Sequence, residues 1–564
     1  MKFNDYEYVR PDINLIKIQF TDLIKKLKDA KNVDEQYDVV KSINSITKEV
    51  DTMINLVRIR NSINTVDMFY DVENDYIDNM IPKFQSLSVK FNKALLSSNF
   101  KEELKKKVYP QLYTLAEMEI RSFSDEVIPF LQEENKLVSE YSKLVSSAKI
   151  NYYGKILNLS QMQPYMESKD RSVRKDSYEK WSSFFKDNES AFDELYDKLV
   201  KIRHKIATKL GFKNFVELGY LRMSRSDYNA DDVKKFRDQV LKYIVPLSNE
   251  LRGRQKNRIG VDSLKYYDTS FNFITGNPAP KGDKDWMIQK AKKMYSELSP
   301  ETEQFFNMMV DKDLFDLDTK PNKQSGGYCT FIHKYKSPFI FANFNGTQGD
   351  VDVLTHEAGH AFQTFQSSYL DSPEFIFPTS EACEIHSMSM EFITWPWMNL
   401  FFEEDTDKYK FYHLANSLMF IPYGVTVDEF QHVVYENPDM TPNERKSAWR
   451  DIEKKYTPYK DYEDNEFLDK GTFWFKQGHI FNGPFYYIDY TLAEICAYQY
   501  WIKFKEDRKN AWDDYMHICK VGGSQSFLDI VKTGNLKSPF EEETIKSVIG
   551  SVKNYLDNID DSKL

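Results

Sequence analysis

Two histidines four residues apart, with a glutamate beside the first, are the residues best suited to chemistry in this chain. His356-Glu357-Ala358-Gly359-His360 spells HExxH. On a helix, positions i and i+4 share one face, with Cβ atoms about 5–6 Å apart. Imidazoles so placed can both aim a nitrogen at one ion about 2.0–2.1 Å away, and Glu357 reaches the side where an activated water would stand. Val351, Val353, Leu354, Ala358, Ala361 and Phe362 supply an apolar surface for that helix, and Gly349 and Asp350 can start it. A catalytic zinc needs a third protein ligand and an open position. The candidates lie downstream in Thr379-Ser380-Glu381-Ala382-Cys383-Glu384-Ile385-His386. Thr379 or Ser380 can cap a second helix. Glu381 and Glu384 are three apart and share a face, so one can bind metal while the other accepts a hydrogen bond from a ligand imidazole. Spacing alone leaves both open. Cys383 and His386 project elsewhere if Glu384 faces the metal.

A second segment, from His479 through Tyr486, Tyr487 and Tyr490 to Glu494, is rich in hydrogen-bond donors. Attack on a carbonyl creates an oxyanion, and preorganised donors aimed at it stabilise the transition state. A chain with 36 tyrosines places most of them in cores and surfaces, so composition alone does not select these three.

These residues need elements to hold them. Gly154 is the only glycine among the first 200 residues, and five prolines fall there, so long uninterrupted elements are expected. Ile16, Phe20, Leu23, Ile24 and Leu27 follow helical spacing, and Val39, Val40, Ile43, Ile46 and Val50 resume it after a break near Asn32. Residues 1–195 read as an N-terminal helical region, and 196–564 as the region that carries the motifs. Gly326–Ile332 and Pro338–Phe344 are short and aromatic, separated by polar residues, and read as a pair of strands. Ser337–Asn345 is a candidate exposed edge to which an extended chain can add through main-chain hydrogen bonds. The fold class is mainly α, with a small β-sheet just before the HExxH helix.

Composition narrows the partners. Across 564 residues the formal charge is −11, which speaks against a nucleic-acid backbone as partner. No run of about 18 apolar residues is present to span a membrane. The opening residues lack an apolar secretory core. Cys329, Cys383, Cys496 and Cys519 are widely spaced and read as reduced thiols of a cytoplasmic protein. The closing Ser562-Lys563-Leu564 matches a peroxisomal address, which three residues match cheaply.

Taken together, these motifs resemble the oligoendopeptidase F and thimet oligopeptidase family of zinc metallopeptidases. His356–Phe362 resembles the family's first motif, and Glu384, Ser387 and Glu391 its E-x-x-S-x-x-x-E motif. The resemblance implies a two-lobed helical bowl around a deep substrate channel. It implies one Zn2+ per chain, held by His356, His360 and Glu384, with Glu357 as general base and Glu381 in a supporting acid's place. His479 and Tyr490 match the family's oxyanion segment; Tyr486 and Tyr487 align less directly, because this loop differs in length. Gln363 stands where many members carry a further histidine that is not a ligand. The implied activity is internal cleavage of short oligopeptides by a monomer or small homo-oligomer. A zinc carboxypeptidase and a catalytically silent peptide-binding protein are the alternatives.

Overall fold

Long amphipathic stretches become long helices in the computed structural model, which describes residues 1–564. Helix α1 (Ile13–Asp29) starts where the Asp12 carboxylate accepts hydrogen bonds from the Asn14 and Leu15 amides, and Asn32 caps α2 (Val33–Ile63) in the same way. Such caps satisfy amides that have no partner inside the helix. With α3 (Met68–Leu96) they supply most of a second core of 22 buried residues, including Ile16, Phe20, Val40, Ile43 and Leu87, which Leu370 and Phe375 from much later in the chain complete. Helices α4 (Ile128–Ser146) and α5 (Arg171–Asp187) follow, separated by the hairpin of β1 (Ile150–Tyr152) and β2 (Lys155–Leu157). The next helix, Glu189–Lys209, runs straight through position 195, so the division read from glycine scarcity falls inside one element.

Three strands make the second sheet: β3 (Phe315–Asp318), β4 (Tyr328–Ile332) and β5 (Ser337–Phe344), in the order β3-β5-β4. β4 runs antiparallel to β5, with Tyr328 opposite Phe341, and β3 runs parallel to it, with Phe315 opposite Ile340. The expected pair is present, and β3 is an addition. Its Phe-Asp-Leu-Asp sequence is too short and too charged to stand out. β5 is the central strand, buried along nearly its whole length. The sheet's edges are β3 and β4, not Ser337–Asn345, because β5 has a neighbour on each side.

The sheet lies against α6 (Gly349–Ser367), which packs on α7 (Ser380–Ile393), and α7 packs in turn on α9 (Ile488–Glu506); the long helix α8 (Thr406–Glu436) flanks α9. These elements share a cluster of 113 buried hydrophobic residues. Among the features that join it to the N-terminal helices are two at the sheet. The Asn55 side chain of α2 donates to the Phe331 carbonyl at the outer side of β4 (2.9 Å). The first residues are stapled to the back of the sheet: the Phe3 amide bonds the Lys312 carbonyl (2.8 Å), the Phe3 ring meets Phe339, and the Tyr6 hydroxyl meets Ser337 (2.9 Å). Between the lobes a cavity of about 640 Å³ is walled by α2, α3, α4 and β4. No helix is long and apolar enough to cross a membrane.

Candidate active site

Helix α6 presents His356 and His360 one turn apart, their rings 5.0 Å apart and nearly perpendicular. Helix α7 brings Glu384 across from them. Gly359 makes this approach feasible: a Cβ there would lie 2.7 Å from the His386 carbonyl oxygen and from the Ser387 Cα. One Glu384 oxygen lies 3.1 Å from His356 Nε2 and 3.3 Å from His360 Nε2. Donors bound tetrahedrally at about 2.0–2.1 Å from an ion stand roughly 3.3 Å from one another, so these three atoms already have the spacing of a single metal site. Two imidazoles and one carboxylate also make a donor set suited to zinc.

The ligands are held by a chain of side chains. His356 Nδ1 meets Glu391 at 2.7 Å, and the other Glu391 oxygen meets His413 Nε2 at 2.8 Å. The Trp395 indole N–H points at His413 Nδ1 (3.3 Å). An indole N–H can only donate. His413 therefore accepts at Nδ1 and donates from Nε2 to Glu391. Glu391 in turn accepts the His356 Nδ1 proton, which orients the ring so that Nε2 is directed at the site. Burial opposes charge on Glu391, yet the two histidine hydrogen bonds prevail and hold it below the usual carboxylate range. The supporting acid is thus Glu391 rather than Glu381. Glu381 is fully buried, lies in the field of Arg225, and is pushed by burial up to about 7. Only Glu384 and Glu391, seven residues and close to two turns apart, share the metal face of α7. The Thr379 hydroxyl, expected as a cap, makes no cap bond.

Glu384 is 1% exposed and takes two further hydrogen bonds, from Ser387 Oγ (2.9 Å) and from the Tyr486 hydroxyl. Glu357 is also buried. One of its oxygens has no hydrogen-bond partner, and burial raises its pKa against the pull of His356 and His360. Its other oxygen lies against Gly327 at the start of β4, 3.2 Å from where a Cβ would stand.

On the facing side, the Tyr423 hydroxyl donates to the Gln477 side-chain Oε1 (2.8 Å), and the Gln477 side-chain Nε2 contacts His479 Nδ1 (2.8 Å). The amide nitrogen donates, so Nδ1 accepts and Nε2 carries the proton toward the Tyr490 oxygen (3.1 Å). Burial pushes His479 down to about 4, so at neutral pH it is the neutral tautomer this chain defines. The Tyr490 O–H accepts from His479 and keeps its own proton free to donate. His356, Glu357, His360, Glu384, His479, Tyr486 and Tyr490 all border one cavity of about 420 Å³, which shares Tyr328 and Cys329 with the larger interlobe cavity. Tyr487 stands behind it, its ring 5.3 Å from that of Tyr490 and 5.7 Å from that of Tyr423. Cys329 and Cys383 border the cavity, and burial pushes both thiols up. Glu391, His413, Trp395, Gln477 and Tyr423 are the supports that spacing did not single out; only Glu391, within the motif resemblance, had a signal.

Known proteins resemble this chain over most of its length. Residues 3–123 match the model of the peptidase M3 N-terminal domain, and residues 164–277 and 286–548 that of peptidase family M3. A solved structure of PZ peptidase A with an inhibitor is 53% identical over the whole of both chains, with a TM-score of 0.99. An oligoendopeptidase F homolog of Borreliella burgdorferi is 23% identical over 76% of this chain and 74% of its own length. An oligoendopeptidase F of Lactococcus lactis is 22% identical over 65% of this chain, and the match spans 60% of that relative's length. The paired helices, the metal-spaced donors and the matches over most of the sequence lead to one conclusion: the chain belongs to peptidase family M3.

Proposed function

We propose that the chain is a zinc endopeptidase of short peptides, with His356, His360 and Glu384 holding one Zn2+. An ion held there supplies a Lewis acid that polarises a peptide carbonyl and makes water acidic enough to be deprotonated near neutral pH. Glu357 takes the proton from the attacking water and passes it to the leaving amine. Tyr490 donates its free O–H to the developing oxyanion, and His479 keeps that hydroxyl oriented. Tyr486 holds Glu384 in place. A substrate strand adds to the free edge of β4, whose start lies against Glu357, by main-chain hydrogen bonds that carry little side-chain preference. Residues 1–195 supply much of the interlobe cavity's wall and so limit entry to flexible peptides. The four free cysteines suit a cytoplasmic enzyme, acting as a monomer or small homo-oligomer.

One observation carries this reading: three metal-spaced donors converge beside a buried carboxylate with an oxygen left unbonded. The test is Glu357→Gln. The variant is expected to bind zinc stoichiometrically and to lose at least about a thousandfold in turnover of a mixed peptide pool followed by mass spectrometry. Near-normal turnover would remove Glu357 from its role. Metal-dependent release of single terminal residues, in place of internal cuts, would make the chain an exopeptidase.

A further inference from the structure

Three residues before His479, Lys476 has an unusual environment. Its side chain is exposed to solvent, yet its ammonium lies over aromatic rings from three separate parts of the chain. They are Phe473 at 4.2 Å, Tyr423 of α8 at 5.6 Å and Trp181 of α5 at 6.0 Å. A cation that water reaches between rings of distant elements lines a concavity rather than the outer surface. Neighbouring Lys460 also sits over Phe473, at 3.6 Å, but it is neutralised by Glu453 at 3.0 Å. Lys476 has no carboxylate within ion-pair reach and no hydrogen-bond acceptor on its ammonium. Ring faces favour the charge without neutralising it, so the ammonium is left able to pair with an anion.

The position relates this cation to the chemistry. The Tyr423 ring beneath the ammonium belongs to the residue that orients Gln477 and, through it, His479. From Tyr423 the aromatic contacts continue to Tyr487 at 5.7 Å and from Tyr487 to Tyr490 at 5.3 Å. The ammonium therefore stands on the order of 10–15 Å from Tyr490, a length that an extended peptide spans in about three or four residues.

We propose that Lys476 is a carboxylate-binding subsite of the substrate channel, taking a substrate carboxylate about three or four residues from the cleaved bond. The carboxylate is either the peptide's own C-terminus or an acidic side chain, and Trp181, Tyr423 and Phe473 are the walls that pack its neighbours. The assignment rests on the endopeptidase reading. It also has a pH signature. Burial, with the Lys460 charge beside it and only partial relief from Glu453, pushes the Lys476 ammonium down to about 7. The charged groups that act on it are Lys460 and Glu453, and the phenol of Tyr423 lies beneath it. That phenol stays neutral, because burial raises its pKa. Lys476 is thus charged below about pH 7 and loses charge above it, while a peptide carboxylate stays ionised down to about pH 4.

Three versions of one cleavable peptide test this on the zinc-loaded enzyme: a free C-terminal acid, its amide, and the amide with Glu in the last position. At pH 6 the preferred carboxylate form is expected to exceed the plain amide about tenfold in kcat/KM, mainly through KM, and the ratio is expected to shrink towards 1 by pH 8.5. Preference for the free acid identifies the terminus as the ligand, and preference for the Glu amide identifies a side chain. In Lys476→Met the ratio collapses towards 1 at both pH values. Lys476→Arg keeps it at pH 6 and extends it to pH 8.5. The solvent-facing control Lys454→Met leaves it as in wild type. An unchanged ratio in Lys476→Met, or no carboxylate preference in wild type, overturns the subsite while leaving the endopeptidase reading intact. Absence of cleavage of all three peptides by wild type overturns both.

Discussion

Helices α1 and α7 are of similar length and opposite design. α1 fully buries only Ile16, Phe20 and Leu27 and leaves its charged face in water. α7 buries every residue except Ser380 and Glu391. In α1 the polar residues are there for solvent, and most are interchangeable. In α7 the polar residues sit inside a protein core, where an unpartnered polar group costs about 1–3 kcal/mol. Glu384, Ser387 and Glu391 answer that cost with named partners, which are also the partners of the candidate metal site. A helix that water touches is constrained by its apolar stripe; a helix that water does not touch is constrained at nearly every position.

Three substitutions sharpen or break that contrast. Gly359→Ala carries the largest expected effect. Its Cβ would press on the α7 backbone at 2.7 Å, so it should lower unfolding free energy by about 3 kcal/mol and weaken zinc retention, both measured on purified protein. Wild-type stability would mean the two helices can part without consequence. Glu391→Gln comes next. It keeps the shape but removes the charge that orients His356, and it should weaken zinc about 10–100-fold in chelator competition with helicity unchanged. An unaltered affinity would reduce the Trp395–His413–Glu391–His356 chain to packing. Asp12→Ala is the smallest: loss of the α1 cap should cost about 1 kcal/mol in denaturant titration and leave peptide turnover unchanged. A fall in turnover would show that the N-terminal helices are coupled to the site more closely than their separate core implies.

The same contrast explains what the amino-acid sequence made legible. The α1 and α2 faces and the break near Asn32 were readable because one side of each helix meets water, so hydrophobicity oscillates with the turn. HExxH was readable because its geometry is local. The choice between Glu381 and Glu384 was not. The two glutamates share a helix turn and a chemistry, and what separates them is Arg225, whose guanidinium bonds Asp489 at 2.7 Å and sets the field around Glu381. Glu391 lies two turns on from Glu384, Trp395 follows just beyond the end of the same helix and His413 belongs to α8, so no short window of sequence contains the chain they form with His356. Strand β3 and the central place of β5 were hidden for a related reason: pairing partners are fixed by tertiary contacts, and four residues alternating Phe, Asp, Leu and Asp carry little signal. Tyr486, Tyr487 and Tyr490 are alike in type. Only the Gln477–His479 hydrogen bonds mark Tyr490 as the free donor.

The staple between the first residues and the back of the sheet has a consequence for biogenesis. Phe3 and Tyr6 complete their contacts only with Lys312, Ser337 and Phe339. On a ribosome adding about 5–20 residues per second, the chain's opening segment waits on the order of 15–60 s before its partners exist. The N-terminal helices, which supply most of a core, can begin to fold in that interval, but Leu370 and Phe375 complete that core later, and the two lobes remain unfastened until the sheet emerges. Closure of the channel is therefore a late event in the life of each new chain, and a partly synthesised molecule has no enclosed site in which to cut its neighbours.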